Sequence, residues 1–191
     1  MKTTKILSIL LITSFLPGCA AVVLSTAATG VMVAHDRRTT GTIVEDKSIQ
    51  LKATQAIQDV VQKNQQVHVS AHSYNNRVLL VGQAPTRRMK AQIEESVRGV
   101  EKIKHLHNEI VVSASTPLKT RSVDGLITTR IKGEMAVTKE FNPTRVKVIT
   151  ENGVVYLMGI VKRDEEEIAV DIARNVRGVT RVVKIFEYDP K

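Results

Sequence analysis

Tryptophan is absent, and phenylalanine and tyrosine number three each, so the chain has few flat rings to offer. Proteins that hold single-stranded nucleic acid stack bases on such rings, and that platform is missing here. The single cysteine, Cys19, rules out a disulfide within the chain. The apolar run at residues 6–16 is too short for a bilayer, which takes about 20 apolar residues. No glycine-rich loop follows a strand pattern in the manner of a phosphate cradle. A nucleophile or an acid–base pair is equally hard to find. Asp164, Glu165, Glu166 and Glu167 crowd the start of a helical pattern, where the positive end of the helix dipole and solvent account for them. The expectation is a protein that is not an enzyme, with no catalytic residue and no cofactor.

What is present begins with charge. The formal net charge of +9 leaves three kinds of partner: nucleic acid, acidic protein and anionic membrane. The N-terminus bears on that choice. Lys2 and Lys5 precede the apolar run, which has the length of a secretory h-region, and the run ends in Leu16-Pro17-Gly18-Cys19. This tetrapeptide resembles the bacterial lipobox. The resemblance implies cleavage before Cys19, acylation of its thiol and its freed amine, and, with Ala20 next in line, residence in the outer membrane facing the periplasm. Several acyl chains at about 0.8 kcal/mol per buried methylene make a permanent anchor. An exported protein has no nucleic acid to meet. Residues 1–18 are therefore expected to be a signal peptide, and residues 19–45 a flexible tether, with a weak helix near the lipid as the other reading of its small apolar residues.

The rest of the chain repeats itself. "VRGV" occurs at 97–100 and again at 176–179, "NNRVLLVG" at 75–82 matches "NGVVYLMG" at 152–159, and Ile49, Ala53 and Ile57 match Ile127, Ile131 and Met135. Each copy has the periodicity of helix, strand, strand, helix, strand. Asn75-Asn76 and Asn152-Gly153 supply the left-handed residues of a two-residue hairpin. Met89, Ile93 and Val97 line one face of the second helix, as do Ile168, Ile172 and Val176 in the second copy, with Gly99 and Gly178 as candidate caps. A right-handed crossover through that helix places the last strand beside the return strand. The fold class is α+β, a tandem repeat in which each αββαβ unit packs a three-stranded mixed sheet on two helices. The units are expected at 46–112 and 122–191, joined by a linker at 113–121.

The "VxVxxxNGxVxLxG" hairpin and the "GVxxV" after the second helix resemble the BON domain family. Two such domains behind a lipobox resemble the dual BON-domain lipoproteins of the Gram-negative outer membrane. That resemblance implies binding of anionic phospholipid and support of envelope integrity, concentrated where the cell divides.

Two surface features remain. His68, His72, His105 and His107 should face away from the helices, where a solvated surface with no metal is expected; four imidazoles on one open sheet face would otherwise suit zinc or copper, but a last strand beside the return strand sets the two pairs two strand spacings apart, roughly 9–10 Å. Equivalent first helices differ more usefully. The outward stripe of the first copy is Ser48, Lys52, Gln55 and Asp59, whereas the second has Leu126, Arg130, Gly133 and Val137, with Thr129 beside them. Arg130 suits a lipid phosphate, Leu126 and Val137 the acyl boundary, and Gly133 a close approach. Arg121, Lys132 and Lys139 would add electrostatic support. The same stripe also suits packing against the first domain, or a protein partner such as an outer-membrane assembly machine.

Overall fold

The computed structural model describes residues 36–189 apart from 63, 65 and 140. The expected signal peptide, Cys19 and the expected tether up to residue 35 lie outside the described residues. From there the element order is α1 (Thr40–Val61), β1 (His68–Tyr74), β2 (Arg77–Ala84), α2 (Arg87–Arg98) and β3 (His105–Val112), then α3 (Leu118–Val137), β4 (Val146–Glu151), β5 (Val154–Val161), α4 (Arg163–Asn175) and β6 (Arg181–Tyr188). Each half is the expected αββαβ unit. Its sheet runs β1-β2-β3 or β4-β5-β6, with an antiparallel hairpin followed by a parallel pair.

Local chemistry explains the hairpins. Asn75 and Asn76 have φ of 52° and 62°, and Asn152 and Gly153 have 49° and 74°, the left-handed pair that a tight turn between twisted strands needs. A buried aspartate from the first helix holds each turn. Asp46 accepts from the amides of Asn75 (2.7 Å) and Asn76 (2.9 Å), and Asp124 from those of Asn152 (2.8 Å) and Gly153 (2.9 Å). Gly82 sits inside β2. A Cβ there would stand 1.9 Å from the His68 carbonyl oxygen, so only glycine lets the strands come together.

Helix α1 buries Ile49, Ala53 and Ile57 against the inner face of its sheet, and α3 buries Ile127, Ile131 and Met135 in the same way. The second helices differ. In α2, Ile93 and Val97 are fully buried, but in α4 that place is taken by Ala169 and Ala173, and Ile168, Ile172 and Val176 are only partly covered. The roll accompanies a set of ion pairs at the helix start. Glu165 is drawn inward by Arg37 and Arg145 and accepts from the Lys162 amide, while Glu166 is held by Lys184 and the Tyr188 hydroxyl. These two carboxylates are thus buried ion-pair partners, not the solvated group that the sequence suggests.

The outer faces of the two sheets pack on each other. Tyr74, Leu79 and Val81 from the first domain meet Ile149, Tyr156, Met158 and Ile185 from the second in one buried cluster. Polar contacts rim it: Gln83 Nε2 donates to Glu151 (2.7 Å), Asn75 Nδ2 to Glu187 (2.9 Å), and Lys147 Nζ to the Ser73 carbonyl (3.1 Å). The tether expected over 19–45 is not a free tether at its described end: Thr40 begins α1, and the charges before it find partners. Arg37 binds Glu165, Asp189 and the Ile160 carbonyl of the second domain; Arg38 binds Asp36 and Asp46 and lies 3.9 Å from the Tyr74 ring centroid in the first.

The histidines face away from the helices, but the surface is not solvated. His72 lies in one row with Leu79 and His107, inside the junction of the domains. Burial beside the Lys147 ammonium pushes the His72 imidazole down to about 4, and His68 and His107 are lowered chiefly by burial as well. Only His105 of the four is exposed.

Candidate functional site: the outer face of helix α3

The sheets join the domains, and helix α1 touches that junction, its Gln50 Oε1 accepting from Lys147 Nζ of the second domain (3.2 Å). The stripe of α3 is free of the first domain: Leu126 is 57% exposed and Val137 77%. Domain packing is therefore not what its apolar residues serve.

The helix starts at Leu118, inside the expected linker, behind Pro117. That extra turn lengthens the stripe. At helical spacing, Leu118, Ser122, Gly125, Leu126, Thr129, Gly133, Ala136 and Val137 are all exposed, and none of them carries a charge. Even their hydroxyls are turned inward. Ser122 donates to the Leu118 carbonyl (3.1 Å) and Thr129 to that of Gly125 (2.9 Å), each reaching back four residues along the helix. With those donors satisfied internally, the face offers apolar surface and bare backbone.

Cations border it. Lys119, Arg130, Lys132 and Lys139 are exposed, with Glu134 the one carboxylate of the helix surface. Of the residues singled out from the sequence, Leu126, Thr129, Gly133 and Val137 share the outer face, Arg130 flanks it and Lys132 and Lys139 stand nearby. Arg121 departs from expectation. It is half-buried, and its Nε donates to the Thr116 carbonyl (2.9 Å), fixing the linker rather than reaching outward. Leu118, Lys119, Ser122 and Gly125 lie before the expected start of the stripe, where Pro117, which suits a helix N-terminus, was the available signal; Ala136 lies within it, between Gly133 and Val137.

The two helix glycines carry a further sign. Among the described residues, no atom outside the neighbouring helix backbone lies within 4 Å of where a Cβ would stand on Gly125 or Gly133, so no packing contact there asks for glycine. On α1 the counterparts of the stripe are mixed. Val44 (65%) and Leu51 (73%) are exposed, which the sequence comparison overlooked, but Lys47, Gln55, Gln58 and Asp59 interrupt them.

A model of the BON domain matches residues 46–114 and 123–190. The chain belongs to the BON domain family. Among curated relatives it is 40% identical over 189 residues to "Outer membrane lipoprotein DolP" of Haemophilus influenzae, covering 98% of both chains. It is also 35% identical over 153 residues to the "21 kDa hemolysin" of Actinobacillus pleuropneumoniae, covering 80% of this chain and 79% of that one. Of solved structures, it is similar to CdsD, a structural protein of the type III secretion system of Chlamydia trachomatis, at 12% identity and a TM-score of 0.33, with 72% of this chain and 92% of that one covered.

Among the described residues, no group of three or more His, Cys, Asp and Glu side chains is placed to hold a metal ion. Glu165 and Glu166, the buried carboxylates of α4, are held low by their hydrogen-bonded cations and, for Glu166, by the Tyr188 hydroxyl as well. A carboxylate so paired is a poor proton donor near neutral pH.

Proposed function

We propose that this chain is a lipoprotein held in the outer membrane by acylated Cys19, facing the periplasm, whose second BON domain lays helix α3 on anionic phospholipid. It supports envelope integrity without catalysing a reaction, and it concentrates at division sites. The observation that carries the lipid contact is the uncharged, exposed face of α3 with cations on its borders, absent from the equivalent helix α1. An amphipathic helix of this kind sits at the acyl boundary with its charged flank at the phosphates. Each cation near an anionic surface contributes about 1 kcal/mol, and burying an exposed leucine or valine contributes about 1.5–3 kcal/mol. Similarity over nearly the whole length to an outer-membrane lipoprotein supports the anchor and its location. No helix among the described residues is long and apolar enough to cross a membrane, which accords with attachment through Cys19.

Flotation with vesicles tests the contact, using a Cys19→Ala chain freed of residues 1–18. Binding should rise with anionic lipid content and fall with salt. Leu126→Asp puts an ion into the acyl boundary and Arg130→Glu repels phosphate, so each should weaken binding about tenfold or more with no loss of thermal stability. Ser48→Asp and Lys52→Glu, on α1, should change little. Unchanged affinity in folded Leu126→Asp and Arg130→Glu would leave the face to a protein partner, such as an outer-membrane assembly machine.

A further inference from the structure

The roll of α4 has a consequence at the edge of this face. In the first domain Ile93 and Val97 fill the core; their counterparts Ile172 and Val176 are left partly exposed because Ala169 and Ala173 have taken that place. Ile172 and Val176 instead line a groove of about 430 Å³ between α4 and α3. Arg130 and Arg177 also line it, and neither has a carboxylate partner among the described residues. Of the acids there, Asp171 is paired with Arg174 at 2.5 Å, which leaves exposed Glu134 against two guanidinium groups.

The first domain acts as a control. Lys52 stands where Arg130 does and is paired with Glu101 (3.5 Å); Arg98 stands where Arg177 does and is paired with Glu94 (2.6 Å). An apolar floor with unpaired guanidinium groups is thus particular to the second domain.

We propose that the α3–α4 groove is a discrete subsite for one anionic phospholipid, its phosphodiester held by Arg130 and Arg177 and the upper part of one acyl chain laid on Ile172 and Val176. This rests on the reading of α3 as the membrane contact, and adds to it a site that takes single lipids out of the bilayer plane. Arginine suits the role because its planar fork meets two phosphate oxygens at once.

Native mass spectrometry of the full chain, released from nonionic detergent with phosphatidylglycerol or phosphatidylcholine, reads the site directly. The wild type should keep one phosphatidylglycerol where phosphatidylcholine is lost. Arg177→Gln should lower that occupancy about tenfold at fixed lipid, the scale of a lost charge-assisted contact. Ile172→Asn should lower it too, and Arg98→Gln, the first-domain counterpart, should not. Arg177 is exposed, so its variant stays folded even if Ile172→Asn does not. Equal retention of both lipids, an unchanged adduct in Arg177→Gln, or displacement by an equal concentration of glycerol 3-phosphate would overturn the proposal. Leu126→Asp separates it from the parent reading. That variant should lose vesicle binding and keep the single-lipid adduct; vesicle binding that depends on Leu126 without any adduct sinks the groove alone.

Discussion

Gly125 and Gly133 allow the lipid face to be tested against stability. Both lie in the interior of a 20-residue helix, exposed, with no atom outside the neighbouring helix backbone within 4 Å of a substituted Cβ among the described residues. Alanine at either site therefore meets no steric penalty, and the helix gains about 1 kcal/mol because alanine gives up less backbone freedom than glycine. The sites are two turns apart and share no partner, so the double variant Gly125→Ala/Gly133→Ala should gain about 2 kcal/mol. For a unit of this size each kcal/mol raises the thermal midpoint by roughly 2–4 °C, which gives an increase of about 4–8 °C. Two measurements on the same sample decide the matter: thermal unfolding followed by circular dichroism, and flotation with anionic vesicles. We expect a more stable protein that binds vesicles less well, because the added methyl groups hold the bare backbone away from the lipid. No rise in midpoint would show that the open space argument is wrong; a rise with undiminished binding would show that close approach at these glycines has no part in membrane contact.

Asp46→Ala removes the acceptor of two turn amides, the Ser73 hydroxyl and Arg38, and should cost roughly 3–5 kcal/mol in urea unfolding, since it leaves several buried donors without a partner and Arg38 with Asp36 alone. The junction should be acid-sensitive: His72 is held at about 4 in the folded chain against about 6.5 unfolded, so the unfolded state gains protons first and stability falls by up to about 3 kcal/mol as pH drops from about 6.5 to 4. Comparison of wild type with His72→Gln across that window isolates this contribution from carboxylates, and equal slopes would refute it. Cys19→Ala should release the protein from the outer membrane on cell fractionation; a variant still found there would remove the acyl anchor from the account.

How far the sequence reaches depends on the range of the interaction. Helix and strand periods, the left-handed asparagines of the turns and the duplication are local, and they determined two αββαβ units with β3 and β6 beside the return strands. Asp46 and Asp124 were legible in the same way, as one aspartate at the same place in both copies, although only the structure shows what it holds. The stripe of α3 was visible as a difference between equivalent positions, since hydropathy at helical spacing needs no partner to be read. Other features are decided by surfaces that meet across long separations. That His72 is half-buried follows from the second sheet covering the first, and alternation along β1 says which way the ring points without saying what lies there. Arg37 and Glu165, 128 residues apart, pair at the described end of the expected tether and accompany the roll of α4. No periodicity records such a pair, because two charges far apart in sequence look like any other solvated charges until the fold brings them together and excludes water.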